Sequence, residues 1–248
     1  MLLPRKEDSV HKAWLLRLLT EICDDRFLAG ALGFKGGTAA AMRGFLNRFS
    51  VDLDFDLLVD KKDFSKVRQC FEDIFVNLGL NIKDCSDKIP QYFLVYPVDK
   101  TGLRNTIKLD VSWPVPGEND YEMVKLTEID RVVKCQTLET MFANKLLTLI
   151  ERFERTGKVA ARDVFDIHQF FFRGYSYKAE VILKQREGDL RDFFNGLVKF
   201  VERHVTSTII DQDLNYLLPN TEFQAVRKIL KSETLMFLKS EIERLPTN

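Results

Sequence analysis

The chain has 248 residues, enough for one large domain or two modest ones, and its 45% hydrophobic and 30% charged residues are typical of a globular protein. Its 37 basic and 37 acidic residues give a formal net charge of zero, which excludes a broadly basic surface, so any contact with nucleic acid needs a local patch. No apolar run approaches the roughly 20 residues of a membrane helix, and the first residues lack the apolar core of a signal peptide. We therefore expect a cytoplasmic protein without a membrane partner.

The first 135 residues mix helical and strand patterns. Helices are predicted over about Asp8–Cys23, over the run TAAAMRGF that follows two glycines, and over about Phe64–Leu78. Strands are predicted, in chain order, at VDLDFDLLV, QYFLVYPV, NTIKLDVSW and YEMVKLTEI. The segments KDCSDKIP, DKTGLRN and PVPGEND are predicted to be loops.

The pattern changes near Thr137, beyond which it is helical almost throughout. Thr137 is predicted to cap the first of these helices, with Glu139 in its first turn. Strands mixed with helices, followed by helices alone, predict an α+β protein. We expect an α/β core in residues 1–135 and a mostly helical domain in residues 136–248.

The segment VDLDFDLLV places three aspartates on one face of a strand. Apolar side chains alternate with Asp52, Asp54 and Asp56, so the apolar set faces the core and the carboxylates face the other way. Neighbouring carboxylates repel one another, and Mg²⁺ would convert that repulsion into binding energy. The alternative is a solvated edge strand. A calcium loop is excluded because Leu57 stands where that loop needs glycine.

The segment NTIKLDVSW repeats this alternation. Lys108, Asp110 and Ser112 share one face, and the apolar residues share the other. If this strand neighbours the aspartate strand, Asp110 becomes a third carboxylate on the metal side. The alternative is an ordinary exposed strand residue.

Two glycines stand upstream of the aspartates. Gly36 and Gly37 let backbone amides approach a ligand closely, and the helix after them presents its N-terminus and the hydroxyl of Thr38. This arrangement suits a phosphate group. Two adjacent glycines alone are more often just a turn, but the aspartates that follow strengthen the prediction.

Charged residues also recur at helical spacing in the C-terminal half. Lys145 and Arg152 share a helix face and could neutralise a polyphosphate, although a solvated face is the alternative. In the run RDVFD, Asp163 and Asp166 share one helix face, and Arg162 is spaced to pair with Asp166. An intrahelical ion pair is the alternative explanation for that run.

The stretch FKGGTAAAMRGFLNRFSVDLDFDLL resembles the first motif of the nucleotidyltransferase superfamily related to DNA polymerase beta, GG-[ST] followed by DxD. KGGT and RxSxDxD resemble more specifically the AbiEii/AbiGii toxin family, the nucleotidyltransferase toxins of bacterial toxin–antitoxin and abortive-infection systems. The pattern K…R…RDxxD of that family follows in the expected order. The resemblance spans about Leu28 to Phe172.

The resemblance implies a nucleotidyltransferase-like mixed β-sheet core, with a helical C-terminal domain that completes the active-site cleft. It implies Mg²⁺-dependent transfer of a nucleoside monophosphate from an NTP to an acceptor hydroxyl, with two Mg²⁺ ions, and with the tRNA 3′ end as one candidate acceptor. A cognate antitoxin protein is the implied partner. Two alternatives remain open: a non-catalytic nucleotide- or antitoxin-binding protein of the same fold, and a nucleotidyltransferase that acts on a protein or a small molecule.

The motifs assign candidate roles. The expected metal ligands are Asp52, Asp54 and Asp110. These three are also expected to be catalytic, together with Lys145 and Asp163. The expected nucleotide- or phosphate-binding residues are Lys35, Gly36, Gly37, Thr38, Arg48, Ser50 and Arg152. The roles of Asp56, Arg162 and Asp166 are left open, and Asp163 is preferred to Asp166 as the active-site acid.

Overall fold

The structure is a computed structural model that describes residues 1–98 and 104–246. Five residues of the predicted loop DKTGLRN, residues 99–103, lie outside the described residues. The chain divides into two compact units, Met1–Thr137 and Leu138–Asn248. None of the described helices combines the length and the apolar character needed to span a membrane.

The first unit is built on a seven-stranded mixed sheet, which confirms the predicted α+β class. Its strands are β1 Leu32–Lys35, β2 Leu53–Leu57, β3 Asn81–Cys85, β4 Tyr92–Val95, β5 Thr106–Ser112, β6 Tyr121–Leu126 and β7 Arg131–Gln136. They lie in the order β3-β4-β5-β2-β1-β7-β6. The β2–β5 and β1–β7 pairs are parallel, and the other pairs are antiparallel.

The helices of this unit are α1 Asp8–Asp24, α2 Arg26–Ala31, α3 Gly36–Met42 and α4 Phe64–Leu78, with a short 3₁₀ turn at Lys61–Asp63 before α4. The apolar stripe of α4 is buried, as its spacing predicts. Gly79, with φ +68°, ends α4 in the left-handed conformation that glycine adopts most readily. The centre of the sheet is apolar on one face, because Leu53, Phe55 and Leu57 are buried.

The second unit consists of helices and their connections, with no strand among its described residues. It comprises α5 Leu138–Thr156, α6 Ala161–Phe172, α7 Ala179–Gln185, α8 Leu190–His204, α9 Ser207–Leu214 and α10 Asn220–Arg244. The long helix α10 packs against α6 and α8, and α5 packs against α6 and α7. Aromatic rings fill part of this core, where Phe142 contacts the rings of Phe170, Phe171 and Tyr177.

Three strands differ from the sequence prediction. The segment KDCSDKIP was predicted to be a loop, and this was wrong at its start because β3 extends to Cys85. Every residue of β3 is exposed, so the strand lacks the alternation that would predict it. The sequence did not predict β1 and β7 either. The short strand β1 lies directly between two helices, and β7 follows β6 after only four residues.

Candidate active site

The candidate carboxylates lie along one face of the central strands. Asp54 on β2 pairs in register with Asp110 on the parallel neighbour β5, and with Lys35 on the antiparallel neighbour β1. The sequence argument for Asp110 required β5 to neighbour β2, and it does. Asp52, Asp54 and Asp110 are all half-buried. Strand pairing therefore brings Asp54 and Asp110 to adjacent positions on the same face.

The surroundings of these carboxylates show which contacts they make without a bound ion. Among residues 1–98 and 104–246, no three His, Cys, Asp or Glu side chains form a group that could hold a metal ion. The carboxylate of Asp110 instead accepts hydrogen bonds from Lys108 Nζ and Gln91 Nε2. Asp54 and Asp110 thus lie on the same face of the sheet, and the carboxylate of Asp110 is hydrogen-bonded to Lys108 and Gln91.

Asp56 lies in a buried hydrogen-bond network and is 1% exposed. Its Oδ1 accepts from Lys35 Nζ at 2.5 Å. Its Oδ2 accepts from Tyr121 Oη at 2.6 Å, Gln136 Nε2 at 2.6 Å and Asn119 Nδ2 at 3.3 Å. Both oxygens are satisfied, as burial of a carboxylate requires. Burial and the neighbouring Asp56 charge also raise the pKa of the Tyr121 phenol, which keeps it a hydrogen donor.

The two glycines allow close packing of α3 against the rest of the motif. Gly36 has φ +77°, and a Cβ at this position would collide with the carboxylate of Asp54. A Cβ at Gly37 would lie 2.5 Å from Arg48 Nη2 and 3.0 Å from Ser50 Oγ. The positive φ and the clash with Asp54 require glycine at position 36, and a side chain at position 37 would displace the guanidinium group of Arg48.

Thr38, Arg48 and Ser50 lie inside the unit. They are 0%, 3% and 7% exposed, respectively. Thr38 Oγ1 donates to the carbonyl oxygen of Asp52 at 2.5 Å and lies 2.9 Å from Ser50 Oγ. Arg48 Nη1 donates to the carbonyl oxygen of Phe49 at 2.9 Å. The three side chains therefore brace the segment that leads into β2.

In the helical unit, the distal motif forms a buried charge cluster. Lys145 Nζ lies 3.1 Å from Asp163 Oδ1 and 2.8 Å from Asp166 Oδ2. Arg152 Nε lies 2.8 Å from Asp163 Oδ2. Asp163 and Asp166 are 0% exposed. Burial, the largest influence, would raise the pKa of Asp163, but the charges of Lys145, Arg152 and Arg162 together hold that pKa below its usual range.

The cluster brings together four of the five residues that the sequence selected in this half, and Arg162 is the fifth. Both aspartates bind Lys145 and both are fully buried, so the geometry does not separate Asp163 from Asp166. Arg162 is half-buried and adds positive charge near Asp163. Lys145 is already engaged by carboxylates on α6.

Sequence reasoning missed several residues of the first unit. Asn119, Tyr121 and Gln136 were not selected, and Gln136 ends β7, a strand that the sequence did not predict. His11 was not selected as a site residue either. It is 1% exposed, with Nε2 2.9 Å from the carbonyl oxygen of Val51 and Nδ1 2.8 Å from Tyr96 Oη. Burial lowers the pKa of His11 to about 4.

The mixed sheet has the fold of the nucleotidyltransferases. The structure is similar over 98% of its length to all of a candidate nucleotidyltransferase from H. pylori, with a TM-score of 0.61 and 20% identity. It is similar over 97% of its length to 95% of JHP933 from Helicobacter pylori, with a TM-score of 0.56 and 20% identity. Residues 17–236 match the family model described as nucleotidyl transferase AbiEii toxin, type IV toxin–antitoxin system, and the chain belongs to this family. No curated protein matches the sequence.

Proposed function

We propose that the protein is a Mg²⁺-dependent nucleotidyltransferase that transfers a nucleoside monophosphate from an NTP to an acceptor hydroxyl, with the tRNA 3′ end as the acceptor. We propose further that it is the toxin of a type IV-like toxin–antitoxin or abortive-infection system and has a cognate antitoxin. One observation carries the proposal: Asp54 lies beside Asp110 on the two central parallel strands, against the backbone of Gly36. The family match agrees with this assignment.

The chemistry of the donors fits Mg²⁺. Asp52, Asp54 and Asp110 offer only oxygen ligands, and their partial burial leaves them accessible. When bound, Mg²⁺ would neutralise phosphate charge and polarise the reacting oxygen. Asp110 would exchange its contact with Lys108 for the metal. Asp56 is satisfied by four donors, and we assign it to support of the strand.

The proposed reaction exchanges one phosphorus–oxygen bond for another. The acceptor oxygen forms a bond to the α-phosphorus of the NTP, while the bond from that phosphorus to the bridging oxygen breaks and pyrophosphate leaves with the electron pair. We propose that Asp110 accepts the proton of the acceptor hydroxyl. The absence of a side chain at Gly36 lets the carboxylate of Asp54 lie directly against the backbone at the start of α3.

The test is transfer of label from α-³²P-NTPs to total tRNA by the full chain in the presence of Mg²⁺. Asp52→Asn and Asp54→Asn keep side-chain shape and remove charge, and each is expected to lower transfer at least about 100-fold. Asp60→Asn is the matched control, because Asp60 is exposed shortly after β2. Activity of folded Asp52→Asn or Asp54→Asn equal to wild type would refute the metal assignment.

The same assay separates the alternatives. Label found in protein or in a small molecule, with none in RNA, would replace the tRNA acceptor while leaving the transfer chemistry in place. Binding of an NTP without label transfer to any fraction would support a non-catalytic nucleotide-binding protein.

A further inference from the structure

Two buried side chains from separate helices bind consecutive backbone carbonyls just before β2. His11 Nε2, on α1, lies 2.9 Å from the carbonyl oxygen of Val51. Thr38 Oγ1, on α3, lies 2.5 Å from the carbonyl oxygen of Asp52. The strand itself begins at Leu53. The two peptide groups that flank the Cα of Asp52 are therefore each held by a side chain.

In the hydrogen bonds to the carbonyl oxygens of Val51 and Asp52, the donor can be identified. A carbonyl oxygen only accepts, so Nε2 of His11 must carry a hydrogen and donate it. For the same reason Thr38 donates its single hydroxyl hydrogen to Asp52, which makes the hydroxyl of Ser50, 2.9 Å away, the donor to Thr38. Ser50 thus orients Thr38, and Thr38 orients Asp52.

Both donors have little freedom to move. His11 and Thr38 are 1% and 0% exposed. The ring of His11 packs edge-on against Phe49 and at a tilt against Tyr96, with centroid distances of 6.0 and 5.7 Å. The donors are therefore fixed by packing before any ligand arrives.

Asp52 and Asp54 differ in how the sheet supports them. Asp54 is paired in register on both sides, with Lys35 on β1 and with Asp110 on β5. Asp52 directly precedes β2, which begins at Leu53. The position of Asp54 follows from strand pairing, and that of Asp52 depends on the segment before the strand.

We propose that His11 and Thr38 are positioning residues that fix the backbone at Asp52 and so aim its carboxylate toward the metal and the nucleotide. This inference rests on the proposed function, since it assigns Asp52 a ligand to hold. Thr38 then acts on the site indirectly, because it holds the backbone of Asp52 by a hydrogen bond. Displacement of a catalytic group by about 1 Å can cost on the order of 100-fold in rate, so loss of either donor should reduce turnover.

The test uses substitutions that keep shape and remove one donor. Thr38→Val removes the hydroxyl, and His11→Phe retains a ring without the nitrogen donors. Thr234→Val is the matched control, because Thr234 is 0% exposed and its hydroxyl donates to the carbonyl oxygen of Leu230 at 2.7 Å in the helical unit. Thr38→Ser retains the hydroxyl and tests rescue.

Three properties of the full chain are measured: Mn²⁺ affinity by electron paramagnetic resonance, hydrogen exchange of residues 43–55, and kcat and KM for the NTP. We expect Thr38→Val and His11→Phe to raise the Mn²⁺ dissociation constant about tenfold or more, to speed exchange in this segment, and to lower kcat with little change in KM. Thr234→Val should change thermal stability only, and Thr38→Ser should restore metal affinity.

Wild-type Mn²⁺ affinity in folded Thr38→Val and His11→Phe would overturn the inference. If His11→Phe does not fold, Thr38→Val decides alone. If Asp52→Asn binds Mn²⁺ as tightly as wild type, the metal site itself is absent, and the proposed function fails together with this inference. That outcome differs from failure of the positioning role alone, in which Asp52→Asn loses binding and the positioning variants keep it.

Discussion

Replacement of Lys145 by methionine is expected to destabilise the helical unit. Methionine keeps most of the length of the side chain and removes the charge that contacts Asp163 at 3.1 Å and Asp166 at 2.8 Å. Removal of one partner from a buried ion pair costs about 3–5 kcal/mol. We expect about 3 kcal/mol, at the lower end, because Arg152 still contacts Asp163 and Lys145 is itself 15% exposed.

Guanidinium denaturation of the full chain can follow the two units with different probes. The two tryptophans, Trp14 and Trp113, both lie in the first unit, so their fluorescence reports that unit. Far-UV ellipticity reports chiefly helices, and six of those described belong to the second unit. The Lys145→Met change should appear in the ellipticity transition. Lys158→Met is the control, since Lys158 is exposed and its loss should cost under about 0.5 kcal/mol.

The pH dependence gives the prediction a second readout. The pKa of Asp163 is lowered in the folded chain, so the stability that it contributes is present above its unfolded pKa and is lost as the pH falls below that value. The difference between wild type and Lys145→Met should therefore shrink below about pH 4, where carboxylates become protonated. Equal stabilities of Lys145→Met and Lys158→Met at pH 7 would refute the conclusion that Lys145 stabilises the buried carboxylates of Asp163 and Asp166.

Two further predictions concern the first unit. Asp56→Asn should lower the free energy of unfolding by about 2–3 kcal/mol in the fluorescence transition, because it leaves Lys35 without its carboxylate. Tyr121→Phe should lower it by about 1 kcal/mol. A smaller loss in Asp56→Asn than in Tyr121→Phe would contradict this prediction. His11 has its pKa lowered from 6.5 to about 4 by burial, so its stabilisation is complete above pH 6.5 and falls by up to about 3 kcal/mol as the pH drops through 4. His11→Phe should therefore lose less stability than wild type over that interval, and equal slopes would argue against the assignment.

The sequence was most informative where residues follow a local period. The limits of α4 were predicted as they are observed, and the alternation around Leu53 and Phe55 placed Asp54 and Asp56 on the face opposite the buried apolar residues, whereas Asp52 precedes the observed strand. Periodicity works here because one face of each element is buried. The strand β3 has no buried face and therefore gave no signal.

The partners of the polar motif residues could not be predicted in this way. Asp56 meets Tyr121 and Gln136, which are 65 and 80 residues away in the sequence. Arg48 and Thr38 were selected as residues that would face a ligand, yet they are buried. Whether a polar side chain faces a ligand or the interior depends on donors and acceptors that only the folded sheet brings near.

The position of β7 in the sheet has a consequence for synthesis of the protein. Strand β1, at Leu32–Lys35, pairs on one side with β2 and on the other with β7, which is made about 100 residues later. Contacts so distant in sequence form late and slow folding. On the ribosome, Asp56 has Lys35 available early but must wait for Tyr121 and Gln136 to emerge. A chain interrupted before residue 131 therefore exposes an open edge of β1 and lacks Gln136 as a donor to Asp56, which makes such fragments substrates for chaperones and proteases.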